Sequence, residues 1–189
     1  MKKFFFDLET TGVNPAKNGI HQISGIIEID DVVVEEFDIK VRPNSKAIIE
    51  DAALEVGGVS REQILSYQDM HNGYEELTGI LSKYVDKYDK KDKFFMIGYN
   101  NASFDNNFLR GFFLQNGDKY FGSWFWANTV DVMVMATDYL LGERQNMVNF
   151  KLSTVADYLG VKVESDKLHD AMYDIYLTRE VYRKVTNKN

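Results

Sequence analysis

Asp7 and Glu9 stand two residues apart at the end of the apolar stretch FFFDLETTG, which covers residues 4–12. Side chains alternate between the two faces of a strand, so these carboxylates share one face and the apolar residues beside them share the other. A strand with one wet face would show the same alternation. However, Phe5 lies on the face of the acids, and the small residues TTG follow directly, which favours a ligand site. Carboxylate oxygens suit Mg²⁺ or Mn²⁺.

Two further acids lie where helices are predicted to begin. Asp105 falls in the first turn of a helix that follows an apolar strand, and Asp174 falls in the first two turns of the last helix. An acid in a first turn also stabilises the helix dipole, by a few tenths to about 1 kcal/mol, so each has a structural explanation when taken alone. Both acids border the apolar stripes of their helices, and this position points them toward the edge of the core.

The segment HDAMYD adds His169 to this set, five residues before Asp174. A histidine exchanges a proton near neutral pH, which suits it to activating water. Four carboxylates in one site would repel one another, at roughly 3 kcal/mol per pair for a separation of about 5 Å and an effective dielectric constant near 20. Two divalent cations would relieve this repulsion and would clamp the oxygens of a phosphoryl displacement. The combination therefore predicts metal-dependent phosphate chemistry.

The elements that must position these residues alternate between β-branched runs and amphipathic stretches. Strands are predicted at 2–9, 21–30, 31–43, 94–100 and 125–130, with a tight turn between the second and third. Helices are predicted at 51–56, 60–67, 73–88, 103–117, from 131 onward, at 152–161 and at 170–185. Strands first, followed by strands and helices mixed, predict an α/β or α+β domain with helices packed on a mixed sheet.

The composition narrows the class of protein. The chain has 189 residues, which fits one domain, and it has no cysteine, so disulfides and thiolate metal sites are excluded. Its net charge of −7 argues against broad binding of duplex DNA, which depends on Lys and Arg. The apolar run after MKK is too short for a secretory signal, and no stretch is long enough to span a membrane. We expect a cytoplasmic protein without membrane attachment.

Taken in order, the three acidic motifs resemble those of the DEDDh 3′–5′ exonucleases. This DnaQ-like family includes the proofreading subunit of the bacterial replicative polymerase. FFFDLETTG is similar to the first family motif, NASFDNNFL to the second, and HDAMYD to the third, His-x-Ala-x-x-Asp. The resemblance covers nearly the whole chain. It implies an α/β, RNase H-like fold, with a mixed five-stranded sheet flanked by helices, in a single exonuclease domain over residues 1–189.

The resemblance also implies an activity and a role for each residue. The reaction would be hydrolysis of the 3′-terminal phosphodiester, with release of nucleoside 5′-monophosphates and two Mg²⁺ or Mn²⁺ ions as cofactors. Asp7 would bridge the ions, while Glu9 and Asp174 would complete the site that holds the attacking water. Asp105 would serve the second ion, and His169 would be the general base. The residues implied to contact substrate are Thr10, Gly12, Asn101 and Phe104.

The expected substrate rests on a single residue of the first motif. Thr10 follows the second acid, where oligoribonuclease-type relatives usually have Met, so single-stranded 3′ ends of DNA are the expected substrate. An exoribonuclease remains open, and a DNA polymerase subunit is a possible partner. The other alternative is a non-catalytic module that binds nucleic acid or a polymerase. Loss of a signature residue would favour that module, and none is missing.

Five features depart from the family pattern or keep two interpretations. Asn100 stands where the family often has His. Asp170 either raises the proton affinity of the proposed base or caps the last helix, and the cap is favoured. Asp131 is interpreted as structural. The aromatic segment 120–129 either packs in the core, which is favoured, or stacks on bases. The charged run 89–93 is interpreted as a solvated helix end.

Overall fold

The computed structural model describes residues 1–186, and its centre is a mixed five-stranded sheet. The strands are β1 (Lys2–Thr10), β2 (Ile20–Ile29), β3 (Val32–Lys40), β4 (Phe95–Gly98) and β5 (Val130–Asp131). Their order is β3-β2-β1-β4-β5. β2 pairs antiparallel with β1 and β3, whereas β4 pairs parallel with β1 and β5. The predicted mixed five-stranded sheet is confirmed. The predicted single domain reaches residue 189, and residues 187–189 lie outside the described residues.

Eight α-helices in the described chain flank the sheet. They are α1 (Asp51–Val56), α2 (Arg61–Leu65), α3 (Met70–Ser82), α4 (Asp105–Gln115), α5 (Phe121–Trp124), α6 (Val132–Tyr139), α7 (Leu152–Tyr158) and α8 (Ala171–Thr186). Short 3₁₀ turns lie at Arg144–Asn146 and Ser165–Lys167. The longest helix, α8, has 16 residues. Within residues 1–186, no helix combines the length and the apolar character that a membrane span requires.

The triple phenylalanine of β1 supplies both faces of the sheet. Phe4 and Phe6 belong to one core, which also contains α3, α4 and the aromatic segment around Phe125. Phe5 belongs to a second core on the opposite face, under α6, α7 and α8. Because side chains alternate along a strand, Asp7 and Glu9 lie on the same face as Phe5. The central, doubly covered position of β1 therefore follows from its apolar sequence.

The β2–β3 hairpin turns at Asp30 and Asp31, as the sequence predicts. Both residues have positive φ angles, 49° and 68°. Two consecutive residues with positive φ match the twist of the flanking strands, and Asp tolerates this conformation better than most residues do.

The third helix differs clearly from its predicted bounds. The helix predicted over 73–88 spans Met70–Ser82, because Asp69 caps it by accepting a hydrogen bond from the backbone N–H of His71 at 2.9 Å. Beyond Ser82 the chain leaves the helix, and the Tyr84 hydroxyl bonds to Glu35 on β3 at 2.9 Å. The apolar pattern extends past the end of the helix because it includes Tyr84 and Tyr88, which lie in the loop after α3 rather than on a helical face.

The strand predicted over 125–130 was largely wrong. β5 covers only Val130 and Asp131, and upstream of it an isolated bridge joins Phe94 to Phe125. Aromatic residues of the segment 120–129 instead pack into the first core, as favoured from the sequence, and the buried ones are Phe121, Trp124 and Phe125. Large aromatic residues are common in strands, but here these side chains fill the core beside the sheet and do not form an additional strand.

Candidate active site

The first pair of acids lies near the carboxyl end of the central strand. Asp7 and Glu9 are both half-buried on the same face of β1. Directly opposite them on β2 are Ser24 and Gln22. This end of the face is therefore polar, in contrast to Phe5 two residues earlier, which is buried under α8.

Asp105 reaches the same strand from the start of α4. Its side chain is buried, and after burial itself the charge of Asp105 is the largest influence that raises the pKa of Asp7. The two carboxylates therefore lie close together. Since the carboxyl ends of the parallel strands β1 and β4 meet at one edge of the sheet, the helix after β4 delivers its first residue to that edge.

Asp131 holds the loop that precedes Asp105. Its carboxylate accepts hydrogen bonds from the backbone N–H groups of Asn100 at 3.0 Å and Ala102 at 3.2 Å. The same side chain caps α6 by accepting from Met133 at 3.0 Å. The structural interpretation of Asp131 is confirmed, because both of its carboxylate oxygens accept hydrogen bonds from the backbone.

Ser103, the first residue of the helix predicted over 103–117, lies outside α4 and does not cap it. The helix begins at Asp105, and the Ser103 hydroxyl donates instead to the Asn100 side chain at 2.6 Å. Asn100 has a positive φ of 64°, a conformation that Asn adopts more readily than most residues. The loop 100–103 is therefore held by a hydrogen bond between its own side chains before α4 begins.

Asp174 comes to the cluster on α8, which packs across the face of β1. Its Oδ1 atom is buried and has no hydrogen-bond partner among the described residues. Just before the helix, His169 is exposed and has a positive φ of 70°. Asp170 accepts a hydrogen bond from the backbone N–H of Tyr173 at 2.9 Å. The interpretation of Asp170 as a helix cap is confirmed.

A buried ion cluster fixes α8 on the sheet, and the sequence analysis missed it. Glu28 of β2 accepts from Lys3 of β1 at 2.9 Å and from Arg179 of α8 at 2.8 Å. All three side chains are buried. Charged residues inside apolar strands and on a core-facing helix position are the signal that was available, because buried charges are almost always paired. The cluster holds the helix that carries Asp174.

Burial raises the pKa of every carboxyl in the set, and repulsion between neighbouring acids adds to this effect at Asp7 and Glu9. Burial, then the charges of Asp105, Glu9 and Asp174, raise the pKa of Asp7 well above its usual range. Burial and the neighbouring aspartates raise the pKa of Glu9 to about 7. Burial likewise raises the pKa of Asp105 to about 7 and raises that of Asp174. Carboxylates from β1, α4 and α8 thus share one electrostatic environment.

The donor set fits hard divalent cations, although it is not a preformed cage. Within residues 1–186, no three Asp, Glu or His side chains are arranged to hold an ion as they stand. Nevertheless, all the candidate donors are oxygens, each has a raised pKa, and Asp174 has a buried oxygen atom without a partner. A site of this kind is stabilised either by protons or by cations, and Mg²⁺ and Mn²⁺ prefer oxygen ligands.

The raised pKa values predict how stability depends on pH when metal is absent. Between the unfolded and folded pKa of Glu9, about 4.5 and about 7, the folded protein binds more protons than the unfolded chain. The free energy of unfolding should therefore fall as pH rises through this window, by about 3 kcal/mol. Urea unfolding in EDTA at about pH 5 and about pH 8 measures the slope.

The double variant Glu9→Gln, Asp105→Asn is the control for this slope. It removes two of the titrating groups, so its stability should depend much less on pH. Saturating Mg²⁺ should flatten the slope of the wild-type protein in the same way, because the cation replaces the protons. A wild-type stability that rises over the same pH window would contradict the assignment.

The four residues predicted to contact substrate differ in their surroundings. The Thr10 hydroxyl donates to the carbonyl of Gly12 at 2.8 Å, which closes the turn after β1. Asn101 is buried and donates to the Thr129 hydroxyl at 2.7 Å. Phe104 is half-buried, with its ring 5.0 Å from that of Phe108. Contact of these residues with substrate stays a prediction.

Asn18 clamps the loop after β1, and this role was also missed from the sequence. Its buried side-chain amide donates to the Ile48 carbonyl at 2.9 Å and to Glu50 at 3.0 Å. A Cβ atom at Gly12 would lie 2.3 Å from Asn18 Nδ2, so only glycine allows this approach. Gly57 lies beside the site as well, because a Cβ atom added at this residue would be 3.5 Å from Glu9 Oε2.

Comparison with known families decides the assignment. The family model described as Exonuclease, RNase_T, matches residues 4–182. The chain belongs to this exonuclease family. The match begins at the first residue of the first acidic motif and ends after the last motif, so it includes every residue of the cluster. The DEDDh resemblance is confirmed at the level of the family.

Two curated relatives of this exonuclease are DNA polymerases III of the PolC type. The protein of Mycoplasmopsis pulmonis is 23% identical over 179 residues, which are 94% of this chain and 11% of the relative. The protein of Thermotoga petrophila is 24% identical over 176 residues, which are 93% of this chain and 11% of the relative. The chain therefore spans about a tenth of the length of these relatives.

Solved structures of E. coli exonuclease I share the fold of this exonuclease. Its zinc-ion-bound complex with single-stranded DNA superposes with a TM-score of 0.78 at 21% identity, covering 100% of this chain and 41% of that one. Its complex with a dT13 oligonucleotide gives a TM-score of 0.78 at 20% identity, covering 99% of this chain and 41% of that one. The RNase H-like exonuclease fold is confirmed.

Proposed function

We propose that this exonuclease is a metal-dependent 3′–5′ enzyme that removes nucleoside 5′-monophosphates from the 3′ ends of single-stranded DNA. One observation carries the proposal. Carboxylates from three separate elements converge at one edge of the sheet, and each has a pKa raised by burial. Without cations, repulsion between these carboxylates destabilises the fold. With cations bound, the same carboxylates hold the ions against the phosphate of the substrate.

The residues of the site divide the work between holding ions and moving a proton. Asp7, Glu9, Asp105 and Asp174 would hold two divalent ions, Mg²⁺ or Mn²⁺. When bound, such ions neutralise the carboxylates and stabilise the charge that develops on the phosphate oxygens. His169, exposed on the turn before α8, takes the proton of the attacking water as general base. Thr10 and the backbone beside Gly12 position the terminal nucleotide.

Single-stranded DNA is the proposed substrate for two reasons. The net charge of −7 is unfavourable for binding a long duplex through its phosphates. The structures of E. coli exonuclease I that share this fold include complexes with single-stranded DNA and with dT13. The similarity to PolC-type polymerases extends the proposal to a partner, because it supports action of this chain together with a DNA polymerase.

A single comparison of labelled substrates tests polarity, sugar and strandedness together. Single-stranded DNA, duplex DNA and RNA, each labelled at the 5′ or the 3′ end, are incubated with Mg²⁺ or with EDTA. We expect a ladder from the 5′-labelled single strand and immediate release of a mononucleotide from the 3′-labelled one, both only with Mg²⁺. Faster digestion of RNA would make the protein an exoribonuclease. Binding without hydrolysis of any substrate would make it a non-catalytic module.

A further inference from the structure

Two segments that the proposed function does not use meet at the other end of β1. The loop 83–94 carries a run of lysines, and the segment 120–126 carries the aromatic residues. They are joined through Phe94, whose N–H donates to the Trp124 carbonyl at 2.9 Å and whose carbonyl accepts from Trp126 at 2.9 Å. The next residue after Phe94 pairs with Lys3, six positions before Glu9, so this end of β1 lies about 20 Å along the strand from Glu9.

Two adjoining cavities open where these segments meet. Their volumes are about 770 and 610 Å³, and both are lined by Lys87, Tyr88 and Trp124. The ammonium group of Lys87 lies 5.5 Å from the ring centre of Tyr88 and 5.6 Å from that of Trp124. Tyr120 lines the smaller cavity, and Tyr88 and Tyr120 are 85% and 74% exposed. We call these four residues and the cavities between them the lysine–aromatic cleft.

Three acids beside the lysine–aromatic cleft are already engaged with the backbone, and Glu75, which lines the larger cavity, lies 3.5 Å from His71 Nε2. Asp86, Asp89 and Asp118 each accept a hydrogen bond from the backbone N–H two residues later, at 3.0, 2.8 and 2.6 Å. These turns hold the carboxylates close to the main chain. The acids therefore shape the loops that form the cleft.

The lysines around the cleft are largely free of such partners. Among residues 1–186, no carboxylate forms an ion pair with Lys87, Lys90, Lys91 or Lys119. In a chain with a net charge of −7, this concentrates available positive charge beside exposed aromatic rings. Proteins that bind single-stranded nucleic acids combine the same two groups, because aromatic rings stack on the bases and lysines neutralise the phosphates.

We propose that the lysine–aromatic cleft binds single-stranded nucleic acid. Tyr88 and Tyr120 stack on bases, and Lys87 with its neighbouring lysines neutralises phosphates. The proposal rests on the proposed function for its class of ligand, because the bound segment is then the part of the substrate that trails behind the 3′ end. A nucleic-acid strand bound at both the acidic site and the lysine–aromatic cleft stays on the protein between cleavage events, because rebinding at one site is intramolecular while the other site is occupied.

Binding without hydrolysis tests the cleft directly. The ligand is a fluorescein-labelled oligothymidylate of about 16 nucleotides, the upper size for one single-strand-binding domain, in EDTA. In the double variant Tyr88→Ala, Tyr120→Ala we expect the Kd, measured by fluorescence anisotropy, to rise at least about tenfold, because each lost stack is worth about 1–3 kcal/mol. Both tyrosines are largely exposed, so the variant should fold, which far-UV circular dichroism checks.

A lysine variant separates charge from stacking. Lys87→Gln should raise the Kd by a smaller factor and should lower the slope of log K against log salt by about 0.7, the value for one phosphate contact on a single strand. Matched controls are Tyr139→Ala on α6 and Lys162→Gln after α7, which are exposed and lie outside the cleft. Both controls should bind as the wild-type protein does.

Three outcomes would decide the matter. If all variants bind oligothymidylate with the wild-type Kd, the proposal is overturned and the cleft serves another ligand, such as a protein. If the tyrosine double variant loses activity equally on a dinucleotide, which has a single internucleotide linkage and is too short to span both sites, the cleft proposal is also overturned. If binding depends on the cleft but no nucleic acid is ever hydrolysed, the cleft is supported and the proposed function fails.

Discussion

Asp7→Asn should lower the rate of nucleotide release by about 10³-fold or more. Asp7 is central to the cluster, because its pKa responds to the charges of Asp105, Glu9 and Asp174 together. Removing its charge weakens the binding of cations that would supply several kcal/mol of stabilisation to the transition state. Release of labelled nucleotide from a single-stranded oligonucleotide with Mg²⁺ measures the effect.

The same substitution should make the metal-free protein more stable. A buried carboxylate that repels three neighbours costs folding energy near neutral pH, and asparagine keeps its shape without its charge. We therefore expect a higher urea midpoint for Asp7→Asn in EDTA, together with a smaller gain in stability on addition of Mg²⁺. This opposite movement of activity and stability separates a lost site from a damaged fold.

Asp138→Asn is the matched control, because Asp138 is exposed on α6 and lies outside the cluster. It should leave both the rate and the response to Mg²⁺ unchanged. Hydrolysis by Asp7→Asn at the wild-type rate would remove Asp7 from the catalytic machinery and would end the two-metal proposal.

His169→Asn should lower the rate by about 10²–10⁴-fold, as loss of a general base does. The choice of asparagine follows from the backbone. His169 has a φ of 70°, in the left-handed region that Asn tolerates and alanine does not favour. The variant therefore removes the imidazole without adding backbone strain. Single-turnover hydrolysis and the Kd for oligonucleotide should be measured separately, with the larger change expected in the rate.

Added imidazole and a second histidine variant complete this test. Free imidazole should restore part of the activity of His169→Asn, because the exposed position leaves room for it. His71→Asn, which replaces an exposed histidine at the start of α3, should behave as the wild-type protein does. Equal rates for the two variants would show that His169 is not the base.

Local patterns in the sequence predicted the parts of the fold that depend on near neighbours. Alternation placed Asp7 and Glu9 on one face of a central strand, and the paired aspartates at positions 30 and 31 marked the hairpin. The predicted stripe of the last helix also agrees with the structure, with Ala171, Ile175, Thr178 and Val185 buried and Tyr182 half-buried. Each of these features follows from a period of 2 or 3.6 residues, which the chain carries locally.

Positions where elements end were predicted less well, because long-range contacts decide them. The third helix stops at Ser82, after which Tyr84 bonds to a glutamate on β3. The segment 125–130 has the composition of a strand, but the ring of Phe125 packs in the core beside the sheet and only Val130 belongs to β5. No local pattern distinguishes a ring that faces a helix from one that faces the next strand.

The sequence by itself determined which residues could carry the chemistry: four acids and a histidine, in motifs whose order resembles an exonuclease family. Only the tertiary structure decided their surroundings. It brought β1, α4 and α8 to one edge, fixed α8 with the buried cluster of Lys3, Glu28 and Arg179, and raised the pKa of the acids by burial. The physical reason is that desolvation and repulsion depend on groups brought together by folding, whereas sequence spacing records only which groups are available.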